Sequence, residues 1–215
     1  MNEFDVYKNT ISREHAQEVI NVTDYNDRDN FFLDFEFLSG VNQDIWQKYN
    51  ICERYKTRNR RDADNNPYPH NYDAFDILAE KLKPVWETVM SDRNLDLYIE
   101  NCWGIDLVFY SPNTILTPHV DGFDTVLITC LEARNILPEE GNLLLWQQDE
   151  SNLDKIITEF PDNKDYQHSV HLDQGDTLWI DDKDFYHALT PITQGVRVTA
   201  ISRWGNQTPD RGFDY

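Results

Sequence analysis

Thr117-Pro118-His119-Val120-Asp121-Gly122 is the stretch that orders the rest of the chain around it. Just upstream, the apolar run Leu107-Val108-Phe109-Tyr110 is closed by the turn residues Ser111-Pro112-Asn113. Downstream come Val126 to Leu131, Leu143 to Trp146 behind Gly141, Thr177 to Ile180 behind Gly175-Asp176, and Val196 to Trp204. Each run is short, rich in Val, Ile, Leu, Thr and aromatic residues, and bounded by turn formers, which is the mark of β-strands. With no helix expected between them, such strands predict a sandwich, jelly roll or barrel.

Within that half, His119 and Asp121 lie two residues apart at a strand end. Side chains alternate across a strand, so both project to the same side and can grip one ion. A third ligand must come from elsewhere, and His187 in Asp184-Phe185-Tyr186-His187-Ala188-Leu189 is the leading candidate. Two histidines and a carboxylate make a facial triad, which leaves three open positions on one face of Fe(II) for a bidentate cosubstrate and O2. Ten residues beyond His187, Gly195-Val196-Arg197-Val198-Thr199 puts Arg197 and Thr199 on one face of a strand. A planar guanidinium fork beside a hydroxyl suits a carboxylate held in a narrow barrel.

His-x-Asp, a distal His and then Arg-x-Thr in this order resemble the iron(II)- and 2-oxoglutarate-dependent oxygenases, above all their prolyl-hydroxylase-like branch. Leu107 to Pro112 is similar to the strand and turn before that motif in the family. Thr125 to Leu131, Gly141-Asn142-Leu143 and the Gly175-Asp176-Thr177-Leu178 turn fit its later strands. The resemblance covers roughly residues 97 to 205. It implies a mainly β fold with flanking helices: a double-stranded β-helix, the cupin-like jelly roll. It also implies Fe(II) on His119, Asp121 and His187, with 2-oxoglutarate held at its distal carboxylate by Arg197 with help from Thr199. Tyr110, nine residues before His119, matches a tyrosine that often contacts the cosubstrate in the family. The implied reaction is hydroxylation using O2, with release of succinate and CO2 and with ascorbate as an auxiliary reductant. Related halogenases lack the carboxylate, so Asp121 favours hydroxylation. The rival readings are a cupin-like metal- or ligand-binding module without turnover, which would not need Arg197 at that spacing, and a zinc hydrolase.

Other residues have plainer readings. His171-Leu172-Asp173 repeats the His-x-Asp pattern, but no arginine follows a later unused histidine at the right distance; His171 and His168 are therefore expected at the surface. His15 and His70 are expected to be solvated. Arg54, Lys56, Arg58, Arg60 and Arg61 form a basic run, read first as a solvated helix end and loop and second as a contact for an anionic partner. Trp46, Trp86 and Trp103 are expected in the core. Arg203 shares the face of Arg197 and would reach substrate or make a surface ion pair. Cys52, Cys102 and Cys130 form no CxxC pair, so buried reduced thiols are expected.

The first 95 residues read as a mixed support region, 96 to 206 as the catalytic core and 207 to 215 as a tail. Ser12 caps a helix reaching Val22. Phe31 to Leu38 alternate as a half-buried strand. Val41, Ile45, Trp46, Tyr49, Cys52 and Tyr55 recur at helical spacing, as do Phe75, Leu78, Leu82, Val85, Trp86 and Val89, with a kink or restart expected at Pro84. Arg58 to Pro69 reads as a loop. The 215 residues carry a net charge of −20, which repels nucleic acid and anionic lipid. No apolar run approaches the roughly 20 residues of a membrane helix, and the N-terminus lacks a signal-peptide pattern. The expected setting is cytoplasmic, with a small-molecule or peptide substrate.

Overall fold

The computed structural model describes residues 4–23, 31–33, 48–58, 72–93, 95, 99–148 and 150–205. Twelve strands among them form two sheets. The larger contains β1 (Phe4–Tyr7), β2 (Phe31–Leu33), β4 (Glu53–Arg58), β5 (Cys102–Tyr110), β7 (Thr125–Arg134), β10 (Thr177–Ile180) and β12 (Val196–Trp204), in the order β1-β10-β7-β12-β5-β4-β2. The smaller contains β3 (Asn50–Ile51), β6 (Thr114–His119), β8 (Leu143–Gln147), β9 (His168–Val170) and β11 (Phe185–Ile192), in the order β3-β6-β11-β8-β9. Three α-helices accompany them: α1 (Arg13–Ile20), α2 (Tyr72–Arg93) and α3 (Glu150–Glu159).

Strand alternation distributes the side chains into layers. Between the sheets lies a core containing Val108, Leu116, Phe123, Ile128, Leu145, Leu178, Phe185 and Ile201. On the far side of the large sheet, Ile105, Leu107, Leu127, Val198 and Ala200 pack against Phe75, Leu78, Leu82, Val85 and Val89 of α2 and Val19 of α1. Trp86 meets Trp204 edge-on at 4.8 Å. On the far side of the small sheet, Leu144, Trp146, Tyr186 and Ala188 pack on Ile156 of α3. Full burial of each such side chain contributes roughly 1.5–3 kcal/mol, so the helices clamp the two sheets into a jelly roll and fix its inner face.

Local signals explain most elements. Ser12 caps α1, accepting a hydrogen bond from the His15 amide at 3.1 Å. Gly175 turns at φ +96°, where a Cβ would stand 2.7 Å from the Ile11 carbonyl oxygen. Only glycine permits both that conformation and that approach.

Four expectations need correction. Cys52 and Tyr55 do not continue a helix, since 50–51 and 53–58 are strands; Val41, Ile45 and Trp46 lie outside the described residues. The helical spacing misled because this strand is buried on both faces, with Cys52, Arg54, Tyr55 and Thr57 all inaccessible. Arg54 is accordingly 1% exposed rather than at a solvated helix end; positions 59–71, including Arg60, Arg61 and His70, lie outside the described residues. Of the kink or restart expected at Pro84, the restart does not occur, since Pro84 sits inside one 22-residue helix. Finally, α3 does intervene between β8 and β9. Its apolar residues cover the outside of the small sheet, a role that the strand pattern does not announce. Of Phe31 to Leu38, the described part is strand over Phe31–Leu33.

Candidate metal and cosubstrate site

The pairing of β6 with β11 sets His187 directly opposite His119. Their rings lie 4.3 Å apart between centroids. Asp121 follows two residues after His119, past the strand end, and the three residues bring one ligand atom each to within 4.8 Å of one another. All are buried, at 5%, 2% and 0% exposed for His119, Asp121 and His187.

Each candidate ligand is aimed. His119 Nδ1 donates to the Thr117 carbonyl at 2.7 Å, which puts the lone pair of the neutral ring on Nε2. Burial, reinforced by His187, lowers the His119 pKa to about 3, so the ring is neutral and able to ligate. Asp121 Oδ1 accepts from Arg203 Nε at 2.9 Å and lies 2.8 Å from Nη2. Burial raises the Asp121 carboxyl, but Arg203, then His187 and His119, outweigh it and hold the group well below its ordinary range. His187 Nδ1 faces Asp182 Oδ1 at 3.5 Å. Asp121 Oδ2 and His187 Nε2 lie 3.5 Å apart, and neither makes a hydrogen bond among the described residues. Two imidazoles and a carboxylate converging in a buried site fit a divalent ion.

The turn that carries Asp121 is itself anchored. Asp182 Oδ1 accepts the Asp121 amide at 3.2 Å, while Oδ2 accepts those of Gly122 at 2.6 Å and Phe123 at 3.2 Å. Gly122 turns at φ +82°, which lets three successive amides converge on one carboxylate. Burial, and then Asp121, push the Asp182 pKa up to about 6.

Farther along the inner face, β12 pairs with β5 so that Arg197 stands opposite Tyr110 and Thr199 opposite Val108. Arg197 is 1% exposed. Its Nη1 donates to the Gly141 carbonyl at 2.6 Å, while Nε and Nη2 have no hydrogen-bond partner among the described residues. The Thr199 hydroxyl lies beside the Tyr110 phenol, whose pKa burial raises. The structure thus brings Tyr110, Arg197 and Thr199 to one face, with two guanidinium donors available to an anion.

Sequence reasoning missed Asp182, Asp106, Arg54 and the role of Arg203. Arg203 is neither at the surface nor free to meet substrate: it is 2% exposed, with Nη1 donating to Asp106 at 2.9 Å as well as its contacts to Asp121. Arg54 donates to the same Asp106 oxygen at 3.2 Å. Partners separated by 52 to 97 positions leave no local spacing to detect. By contrast, His168 and His171 are exposed, His171 contacting Asn142 at 2.8 Å. His15 is half-buried, its Nε2 lying 2.7 Å from the Lys81 carbonyl. Trp86 is core and Trp103 is half-buried against Phe123 at 5.0 Å. The three cysteines are buried and not joined in disulfides.

Residues 111–201 match the family model described as 2OG-Fe dioxygenase. A search of curated proteins gives no match. Among solved structures, the chain is similar to a prolyl-4-hydroxylase from Pseudomonas putida, at TM-score 0.58 and 10% identity, covering 97% of this chain and 95% of that one. A prolyl hydroxylase from Trichoplax adhaerens, solved with a hypoxia inducible factor peptide, gives TM-score 0.56 and 13% identity, over 95% and 84% of the two chains. The viral collagen prolyl hydroxylase of Paramecium Bursaria Chlorella virus-1, in its 2OG complex, gives 0.54 and 14%, over 94% and 95%. At these identities the likeness is one of fold: a prolyl-hydroxylase-like jelly roll.

Proposed function

We propose that this chain, a 2-oxoglutarate-dependent iron oxygenase by its family match and prolyl-hydroxylase-like by its fold, hydroxylates an amino acid, a peptide or protein side chain, or another small metabolite, releasing succinate and CO2. The observation that carries the reading is the convergence of His119, Asp121 and His187 on one point at the small sheet, together with the buried Arg197 fork on β12 of the large sheet. A zinc hydrolase or a binding-only cupin would use the first feature but has no need of the second.

His119 Nε2, one oxygen of Asp121 and His187 Nε2 are the proposed iron ligands. Arg197 is proposed to pair with the distal carboxylate of 2-oxoglutarate, with Thr199 and Tyr110 completing that end. Fe(II), when bound, supplies the O2 activation and the oxidative decarboxylation of the cosubstrate. The protein's own contribution is to hold the three donors on one side of the ion, to keep His119 neutral and to shield the cosubstrate from water. Two available guanidinium donors suit a carboxylate, and a charge-assisted fork of this kind fixes orientation as well as affinity. The charge of −20 weighs against a nucleic-acid substrate, and no described helix is long and apolar enough to cross a membrane. We take the setting to be cytoplasmic.

The test is anaerobic loading with Fe(II), then addition of 2-oxoglutarate and air, with succinate measured. Slow succinate formation without prime substrate, suppressed by the unreactive mimic N-oxalylglycine, is expected. A screen of amino acids and peptides for a product that gains one oxygen atom would then identify the substrate. Metal binding with neither succinate nor inhibition would favour the cupin-like module.

A further inference from the structure

We propose that Arg203 is a positioning residue that makes Asp121 a one-oxygen metal ligand, an inference that rests on Asp121 being a ligand at all. The two ends of the Asp121 carboxylate are treated differently. Oδ1 is met by two nitrogens of one guanidinium, Nε at 2.9 Å and Nη2 at 2.8 Å. Oδ2 points toward His187 Nε2 at 3.5 Å and has no hydrogen bond among the described residues. A carboxylate can bind a metal through one oxygen or both. Here the second oxygen is already engaged by a fork that a metal would have to displace.

Arg203 is itself fixed. Its Nη1 donates to Asp106 Oδ2 at 2.9 Å, and Arg54 on β4 donates to that same oxygen at 3.2 Å. Arg203 pairs across the sheet with Gly104, which places no side chain beside it. The result is a buried line of alternating charge, Arg54–Asp106–Arg203–Asp121, running from β4 through β5 and β12 to the metal-bearing turn. Every member is at most 2% exposed. Planar fork geometry matters in such a line, because it restrains rotation of the carboxylate as well as its position. One consequence concerns coordination number. With Asp121 held to one oxygen, the three residues would leave room on a bound ion for a bidentate keto acid together with O2. Released from Arg203, the carboxylate could close over the ion with both oxygens and take up part of that room.

The full-length protein, stripped of metal, is titrated with Mn(II) by calorimetry. The visible charge-transfer band of the Fe(II)–2-oxoglutarate complex is recorded under argon. The variants are Arg203→Lys, Arg203→Met, Asp121→Gly and the double variant Arg203→Met/Asp121→Gly. Arg203→Lys keeps the buried charge but offers a compact ammonium instead of a fork, so it carries the test if Arg203→Met fails to fold. Loss of an outer partner of this kind weakens metal binding about tenfold or more, and that rise in Mn(II) Kd is expected for Arg203→Lys, with a shifted or weakened charge-transfer band. The double variant should bind Mn(II) no more weakly than Asp121→Gly, because Arg203 acts through Asp121 and its charge alone repels the ion. Wild-type affinity and an unchanged band in Arg203→Lys would overturn the proposal, as would losses that simply add in the double variant. Failure of the wild-type protein to bind Mn(II) would instead remove the metal assignment beneath it, a distinct result.

Discussion

At the His119 end of the barrel interior, the protein answers its own charges: Asp182 takes three amides, Arg203 bridges Asp106 to Asp121, and His119 is tethered to Thr117. At the Arg197 end, one guanidinium bond goes to the Gly141 carbonyl and two nitrogens are left over. The contrast separates two kinds of readiness. Ligands for a metal must be held in fixed directions, which a dense network of partners achieves. A carboxylate-bearing cosubstrate that enters and leaves on each turnover must find donors that the fold has not already used. Buried donors without partners cost free energy, and an incoming anion would recover that cost on binding.

Substitutions at the two ends should therefore have different signatures. The largest effect is expected for His187→Ala, which removes a proposed ligand at the centre of the small sheet: calorimetry should detect no retained Fe(II) or Mn(II), with 2-oxoglutarate turnover lost in parallel. Normal metal affinity would break the comparison at its first end. Next is Arg197→Ala. Leaving a buried anion without its partner costs roughly 3–5 kcal/mol, so the KM for 2-oxoglutarate should rise by about two orders of magnitude or more, while Mn(II) affinity measured without cosubstrate changes little. Asp182→Asn should act at the metal end alone. An amide has one acceptor oxygen where the carboxylate has two, so the turn loosens; metal affinity should fall about tenfold, with a lower thermal midpoint and little change in 2-oxoglutarate KM at saturating metal. Gly141→Ala tests the other end gently. Its Cβ would stand 3.3 Å from Arg197 Nη1 at a φ of +63°, and the strain of a left-handed alanine is roughly 1 kcal/mol. A severalfold rise in 2-oxoglutarate KM without loss of metal is expected from steady-state kinetics. Smallest is His171→Ala in the second His-x-Asp pattern, where stability should stay within about 0.5 kcal/mol of the parent and metal titration should be unaltered.

What the sequence made legible divides along the same line. Candidate ligands at a separation of two along a strand are a pattern that alternation can interpret, and the arginine ten positions past a histidine was legible through the family resemblance. Strand-length runs and turn residues pointed to a sandwich, jelly roll or barrel, the family resemblance narrowed this to the jelly roll, and the structure places those runs in two facing sheets. Arg54 was illegible because β4 buries Arg54 on one face and Tyr55 and Thr57 on the other, and so lacks the polar–apolar alternation of a half-exposed strand. Asp106 stood inside an apolar-looking strand with no local sign that Arg203, almost a hundred residues later, would reach it. Helix α3 escaped notice since only Leu153, Ile156 and Ile157 give it an apolar side. Pairings of that kind arise from topology, and no window along the chain contains both partners.

The facing positions of His119 and His187 also bear on the chain as a polymer. An ion held between them would be a reversible staple across β6 and β11, closing a loop that contains β7 to β10 and α3. A slip of one residue in either strand would turn its histidine to the opposite side of the sheet, so only the native registry could be stapled. The gain grows with the logarithm of free metal, reaching about 4 kcal/mol at a thousandfold excess over Kd. The melting temperature of this protein would then track metal supply, and a chelator would act on it as a mild denaturant.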